Sequence, residues 1–506
     1  MRPVRPACVG ALGVMLGGCL VGPTYHRPDT PVPGRFQEPA PEGWAPASPA
    51  DAAPKGDWWT AFHDPLLDEL EPQVAVSNQT VRQDYADYLQ AVAEVKVARA
   101  QLFPTIGLTG SVTRSASPAV VTTTTTSTPA SGATATGSAA ATGTTRTVSS
   151  RVTSATLEGT AGWTPDIWGQ VRRLIEENTA IAQSDAAVLA NATLSEQTLL
   201  ATTVIELRLA DANIDLAQKT VDAYQDALRI TQAQAAAGIT ATPPSAVITA
   251  QVALETAQAN LIGLGVARAQ YAHAVAVLVG RNPEDLDIAK STVMPALPTV
   301  PVGVPSTLLE RRPDIAAAER TMKAQNAAIG IAVAAYYPTI SLSAAGGFTQ
   351  SPLNGLLHSA NHVWSLGADG TETLLDFGER HAEVAAARAA YEAAVANYRN
   401  TVLTAFQDVE NDLSGLRILA AEAKALDKAV RDAVRGTEIA MAEFKAGTVD
   451  YTTVAQAQET QFSDQQTALN VEESRLVDAV SLIGDLGGGW STGDLQTPSD
   501  PQPQSR

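Results

Sequence analysis

Two stretches of this chain repeat each other, and that repetition limits what it can fold into more than any other feature. Residues 93–108 read AEVKVARAQLFPTIGL and residues 327–342 read AAIGIAVAAYYPTISL. They agree at Ala93/Ala327, Ala98/Ala332, Ala100/Ala334, Pro104/Pro338, Thr105/Thr339, Ile106/Ile340 and Leu108/Leu342, an offset of 234. Further on, Gly169/Gly378, Leu194/Leu403 and Ala237-Gly238/Ala446-Gly447 agree at an offset of 209. One plan is therefore used twice. The difference of 25 places extra length in the first copy between 108 and 169. Residues 116–150 fill that interval with Thr, Ala, Ser and Gly, carry Arg146 as their only charge, and read as a mobile loop or a solvated extension.

Each copy reads as helix, strand, loop, strand and two long helices. In 104–113, Ile106, Leu108 and Val112 share one face while Thr105, Thr109, Ser111 and Thr113 share the other. The second copy repeats this with Ile340, Leu342 and Phe348 against Thr339, Ser341, Ser343 and Thr349. Trp163 and Trp364 fall in the return strands, where an interfacial aromatic would sit. Such alternation suits a membrane barrel, and a half-buried soluble hairpin shows it equally. From Gly378 to Gly447 there is no proline. A 3/4 row runs Phe406, Val409, Leu413, Leu416, Ala420, Ala423, then Val430, Val434, Met441 and Phe444, which is a coiled-coil seam. Val204, Leu207 and Ile214 match it in the first copy. Gly238 and Gly447 stop the two helices, and antiparallel partners are expected at about 245–279 and 451–484. A soluble helical bundle would leave the paired amphipathic hairpins without a use. Four strands cannot close a barrel, and lipid does not tolerate an open edge, so the chain must self-associate, giving eight, twelve or sixteen strands.

Composition narrows the function classes. The 506 residues are 45% apolar but only 5% aromatic, which favours long helices with shallow seams over a thick core. With 34 basic against 53 acidic residues the net charge is −19, unsuited to nucleic acid. No catalytic constellation, metal site or cofactor motif is expected. His358 and His362 lack a third ligand, and GDLGGGW at 484–490 lacks the Lys-Ser/Thr of a phosphate loop. An ATPase or proton-driven carrier would need such a loop or apolar helical spans, and neither is expected after the first 18 residues.

Residues 1–18 carry Arg2 and Arg5 ahead of a short apolar run, the layout of a secretory signal. The run ends in Leu16-Gly17-Gly18-Cys19, which resembles a bacterial lipobox. Cys19 is then the lipidation site, the lipid being the only non-protein group expected. Cys8 leaves with the signal, so no thiol remains for a disulfide or metal. Leu20 after the cysteine, by resemblance to known lipoproteins, favours the outer membrane.

Several stretches resemble one family closely: CLVGPTYHRP at 19–28, WWTAFHDPLLDEL at 58–70, GVPSTLLERRPDIAAAE at 303–319, AAYYPTISL at 334–342, AFQDVENDL at 405–413, FKAGTVDY at 444–451 and LGGGW at 486–490. These are similar to the outer-membrane factors of tripartite efflux systems, the TolC superfamily, of the OprM and NodT lipoprotein type. The resemblance implies a mostly α chain with a membrane β portion. It also implies a homotrimer whose twelve-stranded outer-membrane barrel continues into a long periplasmic helical barrel. It divides the chain into a signal peptide (1–18), a lipidated equatorial segment (19–73), a first repeat (74–281, hairpin about 104–165), an equatorial linker (282–305), a second repeat (306–485, hairpin about 338–375) and an equatorial tail (486–506). The implied partners are a periplasmic adaptor, through it an inner-membrane pump of the resistance-nodulation-division type, and outer-membrane lipid. The family is not enzymatic.

Thr307 and Glu310 fit a capping box, and Arg311, Arg312 and Asp314 read as structural charges near a helix start, with a functional role as the other reading. In many family members two aspartates three residues apart, just past the tip glycine, make an anionic constriction. The matching positions here are Thr453 and Gln456, a departure that argues against an aspartate-ring gate. Asp450 and Glu459 lie a turn to either side and could supply acidity, Asp450 equally as a helix cap, while Tyr451 could narrow the pore. The first functional reading is an exit channel for small toxic solutes. The second is the channel of a type I protein secretion system, and the third a non-conducting lipid-anchored envelope scaffold.

Overall fold

The computed structural model describes residues 20–29, 33, 35–38, 57–122, 145–238, 244–298, 311–351, 356–488 and 490. Cys19, Thr307 and Glu310 lie outside them. The elements in order are α1 (Pro65–Ser77), α2 (Gln79–Ala100), β1 (Thr105–Thr122), β2 (Thr145–Trp163), α3 (Gln170–Ala236), α4 (Pro244–Leu278), α5 (Pro313–Ala334), β3 (Thr339–Gln350), β4 (His362–Thr371), α6 (Glu379–Lys445) and α7 (Tyr451–Asp485). They form two compact units, one holding the strands and the adjoining helix ends, the other the rest of the helices.

The duplication is metrically close. The long helices α3 and α6 are each 67 residues and the shorter α4 and α7 each 35. At 1.5 Å per residue the long ones reach ~100 Å. Each long helix is entered through a glycine with positive φ, +84° at Gly169 and +96° at Gly378. An aspartate beside that turn accepts from the new helix in both copies. Asp166 takes the backbone N–H of Val171 and Arg172 and the Arg172 guanidinium, and Asp376 takes the Gly378 N–H and the Arg380 guanidinium.

In the strand unit the order is β1-β2-β3-β4, all antiparallel, with β1 and β4 at the edges. Register puts Ile106, Leu108 and Val112 on the same face as Leu157 and Trp163, Leu342 and Phe348, and Trp364 and Leu366. Much of this face is open within one chain, Ile106 being 84% and Leu366 75% exposed. The opposite face carries Thr105, Thr109, Glu158, Thr160, Ser343, Ser365 and Asp369. One expectation is corrected. Of the two readings of 116–150, loop or solvated extension, the loop does not hold at its ends: β1 runs on to Thr122 and β2 starts at Thr145, giving an unbroken register from Thr105↔Gly162 to Thr122↔Thr145. Threonine and valine tolerate the extended backbone well, so a composition that cannot build a core still pairs as a ribbon. Since β3 meets β2 only over 155–163, that ribbon continues past the four-stranded sheet.

In the helical unit, Asp64 caps α1 by accepting from the Leu66 N–H, and its carboxylate also receives Arg208 at 3.0 Å, both side chains buried. The main core joins Trp58, Phe62 and Leu67 to Val204 and Leu207 of α3, Val409 and Leu413 of α6, and Leu476 and Val480 of α7. The seam expected on α6 is thus buried where it meets this core, and at Phe444. A second expectation needs correction: α4 is long and apolar enough to cross a bilayer by length and composition, although no apolar helical span was expected. Within one chain it packs through Ala246, Ala250, Val275, Ala276 and Leu278, and Arg268, in its last third, is ion-paired to Asp211 at 2.8 Å.

Candidate functional site: the helical tip

The tip lies where α6 gives way to α7. Gly447, at φ +73°, closes α6 with the Thr448 N–H donating to the Glu443 carbonyl and its own N–H to that of Phe444. This is the reversed ending a left-handed residue permits. Gly238, at φ +69°, likewise donates its N–H to the carbonyl three residues back, that of Ala235, at the end of α3. Asp450 then caps α7, accepting from the Thr453 N–H at 3.2 Å and from the Thr452 and Thr453 hydroxyls at 2.7 and 3.0 Å. The Thr452 hydroxyl first, then the Thr453 groups, hold its carboxyl below the usual carboxylate range.

The structure therefore joins Asp450 to Thr453. Gln456 and Glu459 continue the same exposed side at i+3 and i+6. Tyr451 does not belong to that row. It is fully buried, edge-on to Phe444 at 6.0 Å in a cluster with Ala227, Ala250 and Val454, so within this chain it is a packing residue. Burial pushes its phenol up to about 12, and its hydroxyl has no partner. Gln458, one turn past Val454, is also buried with an unpartnered Oε1.

Sequence reasoning missed the side chains that tie the helices together here. The Gln234 amide of α3 donates to the Phe444 carbonyl of α6 at 2.8 Å, and the Thr437 hydroxyl of α6 donates to the Ala457 carbonyl of α7 at 3.0 Å. Gln234 stands four residues before the helix-stop glycine, and that spacing is the only mark the sequence gives it.

Away from the tip, Arg312 is a structural node. It donates to Asp314 at 2.8 Å and Asp485 at 3.1 Å with Asp408 at 3.8 Å, beside a cavity of about 580 Å³. Asp412, beside Asp485, is pushed up to about 9, by burial first and then by Asp485, Asp478 and Asp408, which favours its neutral form. Among the described residues no group of His, Cys, Asp and Glu could hold a metal ion.

Just past Cys19, the strand unit holds residues 20–22 firmly. The Val21 N–H donates to the Trp168 carbonyl, and Arg173 donates to the carbonyls of Val21 and Gly22. Gly22 lies at φ +91° so close to Gly330 that a Cβ would stand 2.5 Å from its Cα.

A duplicated chain with a one-sided apolar sheet and ~100 Å helices defines a class of membrane-associated conduit proteins. Comparison gives the family: the profile of the outer membrane efflux protein family matches residues 70–281 and 304–488, and the chain belongs to that family. It is 29% identical over 484 residues to the probable efflux pump outer membrane protein TtgC of Pseudomonas putida, covering 94% of each chain. It is 28% identical to the outer membrane protein OprJ of Pseudomonas aeruginosa, covering 95% of each. Among solved structures it is similar to the outer-membrane channel OprN, with TM-score 0.81 and 25% identity over 93% of this chain and 100% of that one. The open-state MtrE channel of Neisseria gonorrhoeae shares the fold, with TM-score 0.77 and 24% identity over 95% and 100%. The protein is an efflux channel of the outer membrane, a role these relatives favour over protein secretion or a non-conducting scaffold.

Proposed function

We propose that three copies close a twelve-stranded barrel and a continuous helical barrel, forming the exit duct of a tripartite efflux system. The observation that carries this is the four-stranded sheet with one apolar face, one polar face and two unpaired edges. A lipid environment requires those edges to be mated, and copies of the same chain offer β4 to β1. The segment boundaries given above are part of this reading, as is a lipid on Cys19, which the firm seating of residues 20–22 supports. A periplasmic adaptor and a pump of the resistance-nodulation-division type complete the assembly. Relatives named for antibiotic, toluene and solvent efflux make small toxic solutes, largely apolar, the cargo class. Channel proteins of this family work without a catalytic group, and we assign none here.

The closed tip, in this reading, is held by helix packing and neutral polar contacts. Thr453 and Gln456 occupy the constriction, Asp450 and Glu459 supply its acidity, and Gly238 and Gly447 set the turns. Single-channel conductance of the purified oligomer in planar bilayers tests it. A small, mostly closed pore is expected, opening more often in T453A/Q456A. An inserted trimer that never conducts, even with its tip substituted, would sink the proposal.

A further inference from the structure

The sheet keeps its carboxylates to one face. Its carboxylates, Glu158 on β2 and Asp369 on β4, fall on the polar face. Arg114 of β1 and Arg151 of β2 fall on the apolar face. Arg114 pairs with Thr153, and Arg151 with Ala116, so the two guanidinium-bearing positions are diagonal neighbours on one face, ~7–8 Å apart. Both arginines are exposed, and neither makes an ion pair with another described residue.

Their level along the strands is informative. On β3 the apolar face runs from Ile340 to Phe348, ending at Gln350. Ten steps of ~3.3 Å, on strands tilted ~40°, span roughly 25 Å, the height of a barrel's apolar band. Val112 and Ala155 are level with Gln350, Arg114 sits two residues further out, and Arg151 two beyond that. The helices all join the sheet at its other end, where Thr105, Trp163, Thr339 and Thr371 lie. An arginine at mid-bilayer on a lipid face is costly, but at the interface its cost nearly vanishes.

We infer that Arg114 and Arg151, with the Thr153 hydroxyl between them, form a binding site for the phosphate of a phosphorylated glycolipid in the outer leaflet of the outer membrane, whose acyl chains lie on Val112 and Leu157 below. This rests on the barrel reading above, in which the apolar face meets lipid. The occupant is a lipid because the site continues directly into the apolar band, and it is anionic because no carboxylate of the sheet shares that face. Guanidinium groups suit phosphate oxygens through paired charge-assisted hydrogen bonds.

The test uses the full chain purified in detergent, titrated with diphosphorylated lipid A, with its dephosphorylated form and with inorganic phosphate, bound lipid being counted by native mass spectrometry. The expected result is preference for the phosphorylated lipid, weakened at least about tenfold in R114A/R151A, largely retained in R114K/R151K and abolished in R114E/R151E. Equal affinity of wild type and R114A/R151A overturns the site, as does equal affinity for the dephosphorylated lipid. Saturation by inorganic phosphate with no preference for the lipid overturns the choice of occupant. Quenching of Trp364 fluorescence by brominated acyl chains, measured on every variant in vesicles, keeps the two readings apart. Quenching with unchanged lipid binding removes only the arginine site, whereas no quenching in the wild type removes the lipid-facing sheet beneath it.

Discussion

The two copies agree where they are helical and part company elsewhere. Lengths of 67 and 35 residues recur without change, but the first hairpin has strands of 18 and 19 residues and the second of 12 and 10. Helices packed side by side must begin and end together, so a change in one copy alone would unseat both. The outer end of a hairpin has no such neighbour, and it has been free to lengthen. The copies also differ in chemistry at matched positions. Shifting by 209 along the long helices sets Phe444 against Ala235, Asp408 against Leu199 and Asp412 against Thr203. The second copy carries the aromatic tip and the acidic node, and the first supplies small or apolar partners.

The largest test of this division is Phe444→Ala. It should remove about 3–5 kcal/mol from the tip cluster, whereas Ala235→Gly should cost about 1 kcal/mol. The thermal loss of the folded oligomer in detergent would compare them, and equal effects would erase the asymmetry. Asp412→Asn should act in the other direction. Its carboxyl titrates near 9 in the fold, far above an ordinary carboxylate, so the fold prefers it protonated. Its contribution is most favourable below about pH 4 and worsens as pH rises toward about 9. The Asn variant should therefore gain stability at pH 8 and lose that pH slope, while Thr203→Val, its first-copy counterpart, should leave the slope unchanged.

The paired helix-entry glycines give a finer comparison. Gly378→Ala should cost about 1–2 kcal/mol for the left-handed backbone alone, since nothing lies within 4 Å of the added carbon. Gly169→Ala should cost more, because its Cβ would also stand 3.2 Å from the Cα of Leu20. The smallest effect expected is Asp450→Ala, about 1 kcal/mol for the lost cap. Its removal should also shift any cation preference of the channel, read as a change in reversal potential.

Much of this was legible because it was periodic. The seam through Val409, Leu413 and Leu416, the strand faces at Ile106 and Ile340, and the stops at Gly238 and Gly447 each follow from a repeat of two, of three and four, or of the whole copy. The reach of β1 and β2 was hidden, since a run of Thr, Ala and Ser has the same composition in a loop and in a two-stranded ribbon. Long-range polar partners were hidden for another reason. Nothing local distinguishes Gln234 from other helix glutamines, and Asp64 meets Arg208 across 144 residues of chain. The burial of Tyr451 was hidden because its neighbours in sequence are exposed, and only the packing of α3, α4 and α6 around it decides its direction.

The seating of residues 20–22 carries a consequence in time. These are among the first described residues to be synthesised, yet Trp168 and Arg173 must exist before they have partners, and Gly330 before the crossing at Gly22 can close. What is made first is thus placed late, after the first hairpin and the chain as far as Gly330 have been delivered. Until then the leading end is a tether with nothing to rest against, and an anchor on Cys19 would keep it at the membrane while the chain from Gly22 to Gly330 arrives.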